Sequence, residues 1–280
     1  MSSMMPASES IAERHNDARP TALLFQGVRK HFWKNGQWVE AIRNATFDVQ
    51  DGEFVAVIGP SGCGKSTLLN MAAGIMDRTG GELEHRGVPV SGSAVTSGVG
   101  YVTQKDTLLP WRTAMDNIQL PLEIRGLPKR ERMEKAAKQI DLVGLSGFEN
   151  HFPHELSGGM RKRVGLARTL IYEPQTLLMD EPFGALDAQL TLVMEEELLR
   201  ILEQRRRTVL YVTHDLDEAI TMADRVVVLA ARPSTVHLVQ DIDIPRPRDV
   251  HKVRYTPRFG QLHDILWNVI SGDIRKGEEM

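Results

Sequence analysis

The stretch Gly59-Pro60-Ser61-Gly62-Cys63-Gly64-Lys65-Ser66 decides the fold class of this 280-residue chain. It fits the pattern G-x-x-x-x-G-K-[ST], whose glycine-rich backbone surrounds a phosphate with N–H groups. The apolar run Phe54 to Ile58 precedes this phosphate loop, and a helical pattern, Thr67 to Ala73, follows it. Strand, loop and helix in this order are the context that phosphate binding requires.

Each part of the phosphate loop has a predicted task. We expect Lys65 to bridge the β- and γ-phosphates of a nucleotide and the Ser66 hydroxyl to ligate Mg²⁺. Cys63 lies near a helix N-terminus, which predicts a lowered thiol pKa and a loss of nucleotide binding on alkylation. The predicted nucleotide-binding residues of this segment are Gly59, Pro60, Ser61, Gly62, Cys63, Gly64, Lys65, Ser66 and Thr67.

The remaining hydrophobic pattern predicts an α/β fold. Two early apolar segments, Thr21 to Val28 and Glu40 to Val49, end in turn residues and predict an antiparallel β layer. Later buried strands alternate with helical patterns, which is typical of a mostly parallel sheet. These strands are predicted at Phe54 to Ile58, Thr176 to Met179, Thr208 to Thr213 and Val226 to Ala230, and one charged helix at Pro128 to Val143.

Composition excludes several classes of protein. The chain has 34 Lys and Arg against 37 Asp and Glu, a balance that does not attract nucleic acid or an anionic membrane by bulk charge. Its single cysteine, Cys63, excludes an intrachain disulfide and a cysteine-rich metal cluster. No apolar run approaches the roughly 20 residues that span a bilayer, and no signal peptide is recognisable, so we do not expect the chain to cross a membrane by itself.

Two carboxylates follow the apolar strand Thr176 to Met179. Asp180 is placed to hold Mg²⁺ through water, and Glu181 to polarise a water for in-line attack on the γ-phosphate. A pair of solvated carboxylates at a strand end is the structural alternative.

The segment Leu156-Ser157-Gly158-Gly159-Met160 precedes a helical stretch, Arg161 to Ile171. Ser157 can cap this helix and the glycines permit close backbone approach, which makes a second anion site. In order with the phosphate loop and the two carboxylates, the segment resembles the signature motif of ABC ATPases. The resemblance covers about residues 22 to 235. It implies that Ser157, Gly158, Gly159 and Met160 contact ATP held by the partner subunit of a homodimer.

The same resemblance assigns further residues. Gln104 matches the Q-loop, which senses Mg²⁺ and the attacking water, and His214 matches the switch histidine, which contacts the γ-phosphate. Asp187, in Ala185-Leu186-Asp187, matches the dimer-contacting D-loop. Phe32 matches the aromatic residue that stacks on adenine, although the adjacent Trp33 remains an alternative. Met160 and Lys162 stand where glutamine is commoner in the family, and neither change removes a phosphate ligand.

The segment from Leu108 to Ile118, which contains Leu-Leu-Pro-Trp, resembles the nitrate, sulfonate and taurine importer branch. It lies where the family docks a coupling helix of the permease. A Trp and Leu cluster buried inside the helical subdomain is the structural alternative, and both interpretations can hold.

The resemblance implies an ATP-hydrolysing, energy-coupling subunit of an importer, with ATP and Mg²⁺ as ligands. It would lie at the cytoplasmic face of the inner membrane, bound to transmembrane permease subunits and served indirectly by a solute-binding protein, with no nucleic-acid partner. A soluble ABC ATPase acting on DNA or ribosomes is the alternative; however, the stretch from Gln104 to Ser157 is too short for a long coiled coil and no second cassette is present. A P-loop kinase would leave the signature and Asp187 unexplained.

The predicted organisation has three parts. Residues 1–20 form a disordered tail, and residues 21–240 form the ABC ATPase domain, with a helical subdomain at about 105–170. Residues 241–280 form a C-terminal extension with a short amphipathic helix. The transported solute is not encoded in these motifs, because the permease and the binding protein select it.

Overall fold

The computed structural model describes residues 19–92, 96, 98–184, 186–205 and 207–278. Most of the predicted tail, residues 1–18, lies outside the described residues. The chain forms two compact units: one comprises the described residues before Gly98 and after Arg205, and the other is Gly98–Arg205.

The first unit begins with a long antiparallel hairpin, β1 (Thr21–Lys34) and β2 (Gln37–Gln50). Asn35 and Gly36 both have positive φ, 51° and 80°, which is the conformation that a two-residue hairpin turn requires. The hairpin therefore confirms the predicted antiparallel layer and extends further than the apolar pattern indicated. Strands β4 (Gly80–His85) and β5 (Val88–Pro89) continue the layer on the far side of β1.

On the other side of this unit the sheet is mostly parallel. Its order continues from β5-β4-β1-β2 through β10 (Ser234–Asp241), β9 (Arg225–Leu229) and β3 (Phe54–Ile58) to β8 (Thr208–Val212). The central strand β3 lies between β8 and β9, parallel to both. All of their residues are buried, as strands covered on both faces must be. Strand β10 joins β9 to β2.

The described residues of the first unit form three α-helices, of which two follow strands and the third lies in the C-terminal extension. Helix α1 (Lys65–Ala72) follows β3, and α6 (Leu216–Met222) follows β8. Helix α7 (Pro257–Glu278) has 22 residues, longer than the predicted short helix, and packs against α6 and β9 with Phe259, Leu262 and Leu266 buried. Short 3₁₀ turns lie at Pro153–Glu155 in the second unit and Val253–Tyr255 in the first.

The second unit pairs β6 (Val99–Val102) in parallel with β7 (Thr176–Asp180). Its helices are α2 (Ala114–Ile124), α3 (Lys129–Leu142), α4 (Gly158–Leu170) and α5 (Ala188–Arg205). A core built around Ile118, Ile140 and Val164 joins α2, α3 and α4. Among the described residues, no helix combines the length and the apolar character needed to cross a membrane.

Candidate active site

The phosphate loop turns sharply from β3 into α1, and glycine is required where it does so. Gly59 has φ 153°, and a Cβ there would lie 2.6 Å from the carbonyl oxygen of Leu229, too close for any side chain. Gly64 has φ 100° and directly precedes the first residue of α1. These positions let the loop backbone bend tightly before the helix N-terminus, the geometry that presents N–H groups to an anion.

The Lys65 ammonium lies against this loop. Its Nζ donates to the carbonyl oxygens of Gly59 at 2.8 Å and Pro60 at 3.1 Å, and the residue is buried. A buried cation that is bound to neutral carbonyls has strong electrostatic attraction for a phosphate oxygen that reaches the same place. Ser66, the next residue, is in the first turn of α1.

The predicted lowering of the Cys63 thiol pKa is wrong. The side chain is only 1% exposed, and burial raises the pKa of its thiol, although Lys65 acts in the opposite direction. Desolvation disfavours the thiolate more than the helix N-terminus favours it. Cys63 is therefore a packed, poorly ionised residue of the loop.

The two candidates for adenine stacking lie on opposite faces of β1, because they are neighbours in a strand. Phe32 is half-buried and lies opposite Val39, with the Lys30 ammonium 5.1 Å from its ring centre. Trp33 is 61% exposed and packs edge to face on Trp38 across the hairpin. Phe32 has the more confined ring, and its stacking on adenine stays a prediction.

His214 lies two residues beyond the end of β8 and directly precedes Asp215, the N-cap residue of α6. His214 is exposed, whereas Thr213 before it is buried. The carboxylate of Asp215, the next residue, accepts from the backbone N–H groups at the start of α6. The Glu218 carboxylate accepts from the Tyr211 and Thr213 hydroxyls, both at 2.7 Å. These bonds fix the start of α6 onto β8, so the backbone at His214 is held from both sides.

In the second unit, β7 ends at Asp180, which is 4% exposed. Glu181 follows with φ 46°, a left-handed conformation that is uncommon for a residue with a side chain and that concentrates at functional sites. Gln104 Nε2 donates to Glu181 Oε2 at 2.9 Å, although 77 positions separate the two residues. The structure thus brings two of the predicted catalytic residues into contact.

Lys162 is a further residue of the site, which the sequence motifs did not indicate. Its ammonium donates to the carbonyl oxygens of Gln104 and, at 3.4 Å, Thr103, so α4 anchors the backbone of the Q-loop. Partial burial lowers the pKa of this lysine, while Asp106 opposes the change. The departure from glutamine marked this position as unusual, but no spacing in the sequence indicated its partner.

The signature segment has the local geometry predicted for it. Ser157 is the N-cap of α4, and its Oγ accepts from the Met160 backbone N–H at 3.2 Å. Ser157 and Gly158 are exposed, whereas a Cβ on Gly159 would lie 2.9 Å from a Leu186 methyl carbon. The cap therefore leaves an accessible helix N-terminus that begins with two glycines.

The D-loop follows the carboxylate strand in the same unit. Ala185 lies outside the described residues, while Asp187 is exposed and its Oδ1 accepts from the Leu190 N–H at 3.0 Å, close to the start of α5. A contact of Asp187 with another subunit remains a prediction.

The segment from Leu108 to Ile118 combines a buried anchor with an exposed tip. Leu108 and Ile118 belong to the core of the second unit, whereas Trp111 is 71% exposed, so the alternative of a buried tryptophan is wrong. Asn117, fully buried, binds the backbone at Leu109, Arg112 and Thr113 and fixes the shape of the loop. The result is an ordered surface loop that presents an aromatic side chain.

The donor chemistry of the predicted metal residues fits Mg²⁺. Ser66 offers a hydroxyl, Asp180 a carboxylate, and Gln104 its amide oxygen, since the amide nitrogen is directed at Glu181. Oxygen ligands of this kind are the ones that Mg²⁺ prefers.

Comparison with known proteins gives a family match. Residues 42–184 match the family model described as ABC transporter. An uncharacterised ABC transporter ATP-binding protein of Methanocaldococcus jannaschii is 43% identical over 97% of this chain and 99% of its own length. The aliphatic sulfonates import ATP-binding protein of Bacillus cereus is 41% identical over 79% of this chain and 86% of its own length. The taurine import ATP-binding protein of Rhizobium johnstonii is 41% identical over 82% and 89% of the two chains.

A solved structure is similar in fold and in sequence. It is a dimeric, post-hydrolysis ATP-binding cassette bound to ADP and Pi, with a TM-score of 0.73 and 28% identity over 80% of this chain and 100% of the other.

Proposed function

We propose, from the premise that this chain belongs to the ABC transporter family of ATP-hydrolysing proteins, that it is the energy-coupling subunit of an importer. Its relatives named for sulfonate and taurine import support a small anionic or zwitterionic solute of the sulfonate, taurine or nitrate kind. The relatives above are named for transport, which favours this function over action on DNA or ribosomes.

One observation carries the coupling part of the proposal: the 2.9 Å hydrogen bond from Gln104 to Glu181. Gln104 begins the segment that leads to the exposed Trp111, and Glu181 is the predicted base. A permease segment that displaces the Trp111 loop would therefore move a residue bound directly to that base.

The hydrolytic step follows from the charges of these side chains. A water oxygen attacks the γ-phosphorus of ATP, the bond from that phosphorus to the bridging oxygen breaks, and ADP leaves. Glu181 takes the proton of the attacking water, and Gln104 holds the carboxylate in one orientation. Lys65 attracts the β- and γ-phosphate oxygens, and His214 contacts the γ-phosphate. Ser66, Gln104 and Asp180 would hold Mg²⁺, which supplies further neutralisation of phosphate charge.

The exposed N-terminus of α4 supports a homodimer that encloses ATP. Ser157 and Gly158 are exposed. Their backbone N–H groups and the helix dipole suit a phosphate of the ATP that is bound by the phosphate loop of a second copy. The dimeric cassette of similar fold supports this arrangement. Asp187 is assigned to the same interface and Phe32 to the adenine ring.

The site of action follows from the same proposal. Transmembrane permease subunits would bind at the Leu108 to Ile118 loop and hold the chain at the cytoplasmic face of the inner membrane. A solute-binding protein outside that membrane would deliver the solute to the permease and make no direct contact with this chain.

Glu181→Gln tests the catalytic assignment. Glutamine keeps the shape and a hydrogen-bond acceptor for Gln104 but removes the base, so we expect ATP binding to persist and turnover to fall about 10²- to 10⁴-fold. With ATP, this variant should elute as a dimer in size-exclusion chromatography. Ser157→Arg, added as the control, should return the ATP-bound protein to monomer, and undiminished turnover of Glu181→Gln would contradict the base assignment.

Solute uptake tests the importer assignment separately. In cells whose only copy carries Glu181→Gln, we expect the uptake of radiolabelled taurine, an alkylsulfonate or nitrate to be lost for at least one solute. Normal uptake of all three would reject this solute class and leave the ATPase assignment intact.

A further inference from the structure

Among the residues of the C-terminal extension that contact helix α6 is a buried arginine, Arg248. Arg248 Nη1 lies 3.1, 3.2 and 2.6 Å from the carbonyl oxygens of Ile220, Thr221 and Ala223. The same guanidinium donates from Nε to the Ile244 carbonyl and from Nη2 to the Ile242 carbonyl, at 3.0 and 3.2 Å. The arginine is 8% exposed, so these bonds form away from solvent.

The position of this charge matches an electrostatic need of the helix. The last carbonyls of a helix have no partner within the helix, and they carry the negative end of its dipole. A guanidinium offers several donors in one plane, so a single side chain can satisfy a group of carbonyls. Arg248 therefore caps the C-terminal end of α6 with a fixed positive charge.

Two neighbouring arginines of the extension contact the same helix. Arg246 donates to the Met222 carbonyl at 2.5 Å and pairs with Asp224 at 2.7 Å, just beyond the helix. Arg254 lies 3.7 Å from the carboxylate of Asp217, in the first turn of α6. The extension thus holds α6 at both of its ends.

Helix α6 needs such support. It has seven residues, and helices this short are not stable without tertiary contacts. Its N-terminal end begins directly after His214 and Asp215, so a shift of the helix moves the backbone that carries His214. Glu218 ties the first turn to β8, and Arg248 ties the last turn to the extension.

We propose that residues 244–254 are a brace for the helix that follows the switch histidine, and that Arg248 is a positioning residue for ATP hydrolysis. This inference rests on the proposed function, because it requires the role assigned to His214. The brace acts by restricting α6, so its loss changes the chemical step more than the binding of ATP.

Arg248→Met in the full-length chain tests the brace. Methionine keeps much of the apolar stem and removes every donor. We expect amide hydrogen exchange in residues 213–223 to become at least tenfold faster. We also expect kcat for ATP to fall about tenfold, equivalent to ~1.4 kcal/mol, while KM stays within about twofold. Arg248→Lys keeps the charge without the planar donors, so its kcat should lie between those of the wild type and Arg248→Met.

Arg258→Met is the matched control, because Arg258 lies in the extension and binds Asp243 and Gln261 there. It should leave both the exchange and kcat unchanged. Unchanged exchange in Arg248→Met, or equal kcat losses in Arg248→Met and Arg258→Met, would overturn the brace. If Arg248→Met fails to fold, Arg248→Lys with wild-type exchange and kcat overturns it as well.

His214→Ala separates this proposal from the one on which it rests. Wild-type kcat in that variant would overturn the role of His214 in the proposed function. A large loss of kcat in His214→Ala together with unchanged exchange and kcat in Arg248→Met would overturn the brace alone.

Discussion

Replacing Lys162 with methionine tests whether the signature helix positions the Q-loop. The Lys162 ammonium donates to the backbone carbonyls of Gln104 and Thr103, and the Gln104 side chain binds Glu181. Methionine has a similar length and no donor. The variant should therefore release the Q-loop backbone without creating a large cavity, and Glu181 should lose its fixed orientation.

The contacts of Lys162 set the expected magnitude. A hydrogen bond from a charged donor contributes ~1.5–3 kcal/mol when it is well formed. Lys162 is only partly buried and its distance to the Thr103 carbonyl is 3.4 Å, so we take ~1–2 kcal/mol for the pair of contacts. If this energy is lost only in the transition state, kcat falls about 5- to 30-fold and KM changes little.

Steady-state ATP turnover and thermal unfolding measure the effect. Lys162→Gln, the residue commoner in the family, restores a donor and should recover kcat to within about threefold of the wild type. Lys135→Met, which removes a surface ion pair on α3, is the control and should change neither quantity. Wild-type kcat in Lys162→Met would refute the reasoning, and so would equal losses of kcat and melting temperature in the methionine and glutamine variants.

Two further predictions concern buried titratable groups. Because burial raises the pKa of the Cys63 thiol, iodoacetamide at pH 7.5 should modify the folded chain at least tenfold more slowly than the urea-unfolded chain, as measured by intact mass; equal rates would contradict this. Burial also raises the pKa of Glu218 above its ordinary value of 4.5, so the native state holds the proton more tightly than the unfolded state. The stability from this group is present below pH 4.5 and is lost as pH rises through the native pKa. Urea unfolding should therefore show Glu218→Gln gaining stability relative to the wild type between pH 4.5 and 8, and a pH-independent difference would exclude this linkage.

Much of the parallel sheet was predictable because its strands are mostly apolar. Every position of Phe54 to Ile58 is apolar, and Thr208 to Val212 has an apolar run after its first residue, as expected for strands that are buried on both faces. The predicted ends of β3, β7, β8 and β9 differ from the observed ones by at most one residue, whereas β1 and β2 of the hairpin are up to six residues longer than predicted. The C-terminal helix was underestimated, because its last residues lack the apolar face from which its length was inferred.

The sequence did not predict the surroundings of several site residues. The exposure of Trp111 and the burial of Cys63 depend on which surfaces pack over each side chain, and local pattern carries little information about that. The bonds from Lys162 to the Q-loop and from Arg248 to α6 were not predicted, because they join residues that lie 25 to 59 positions apart in the chain. The Ser157 cap was predicted, since it depends on four consecutive residues.

By itself, the sequence determined the chemistry of this protein: a phosphate loop, paired carboxylates and a signature segment, each specified by a few adjacent residues whose backbone needs are local. Tertiary structure alone decided how those groups are held. The hydrogen bond from Gln104 to Glu181, for example, forms because β6 and β7, which are far apart in the sequence, pair in the sheet and end near each other. It likewise reversed the expected ionisation of Cys63, because the pKa of a thiol depends on the water that packing removes.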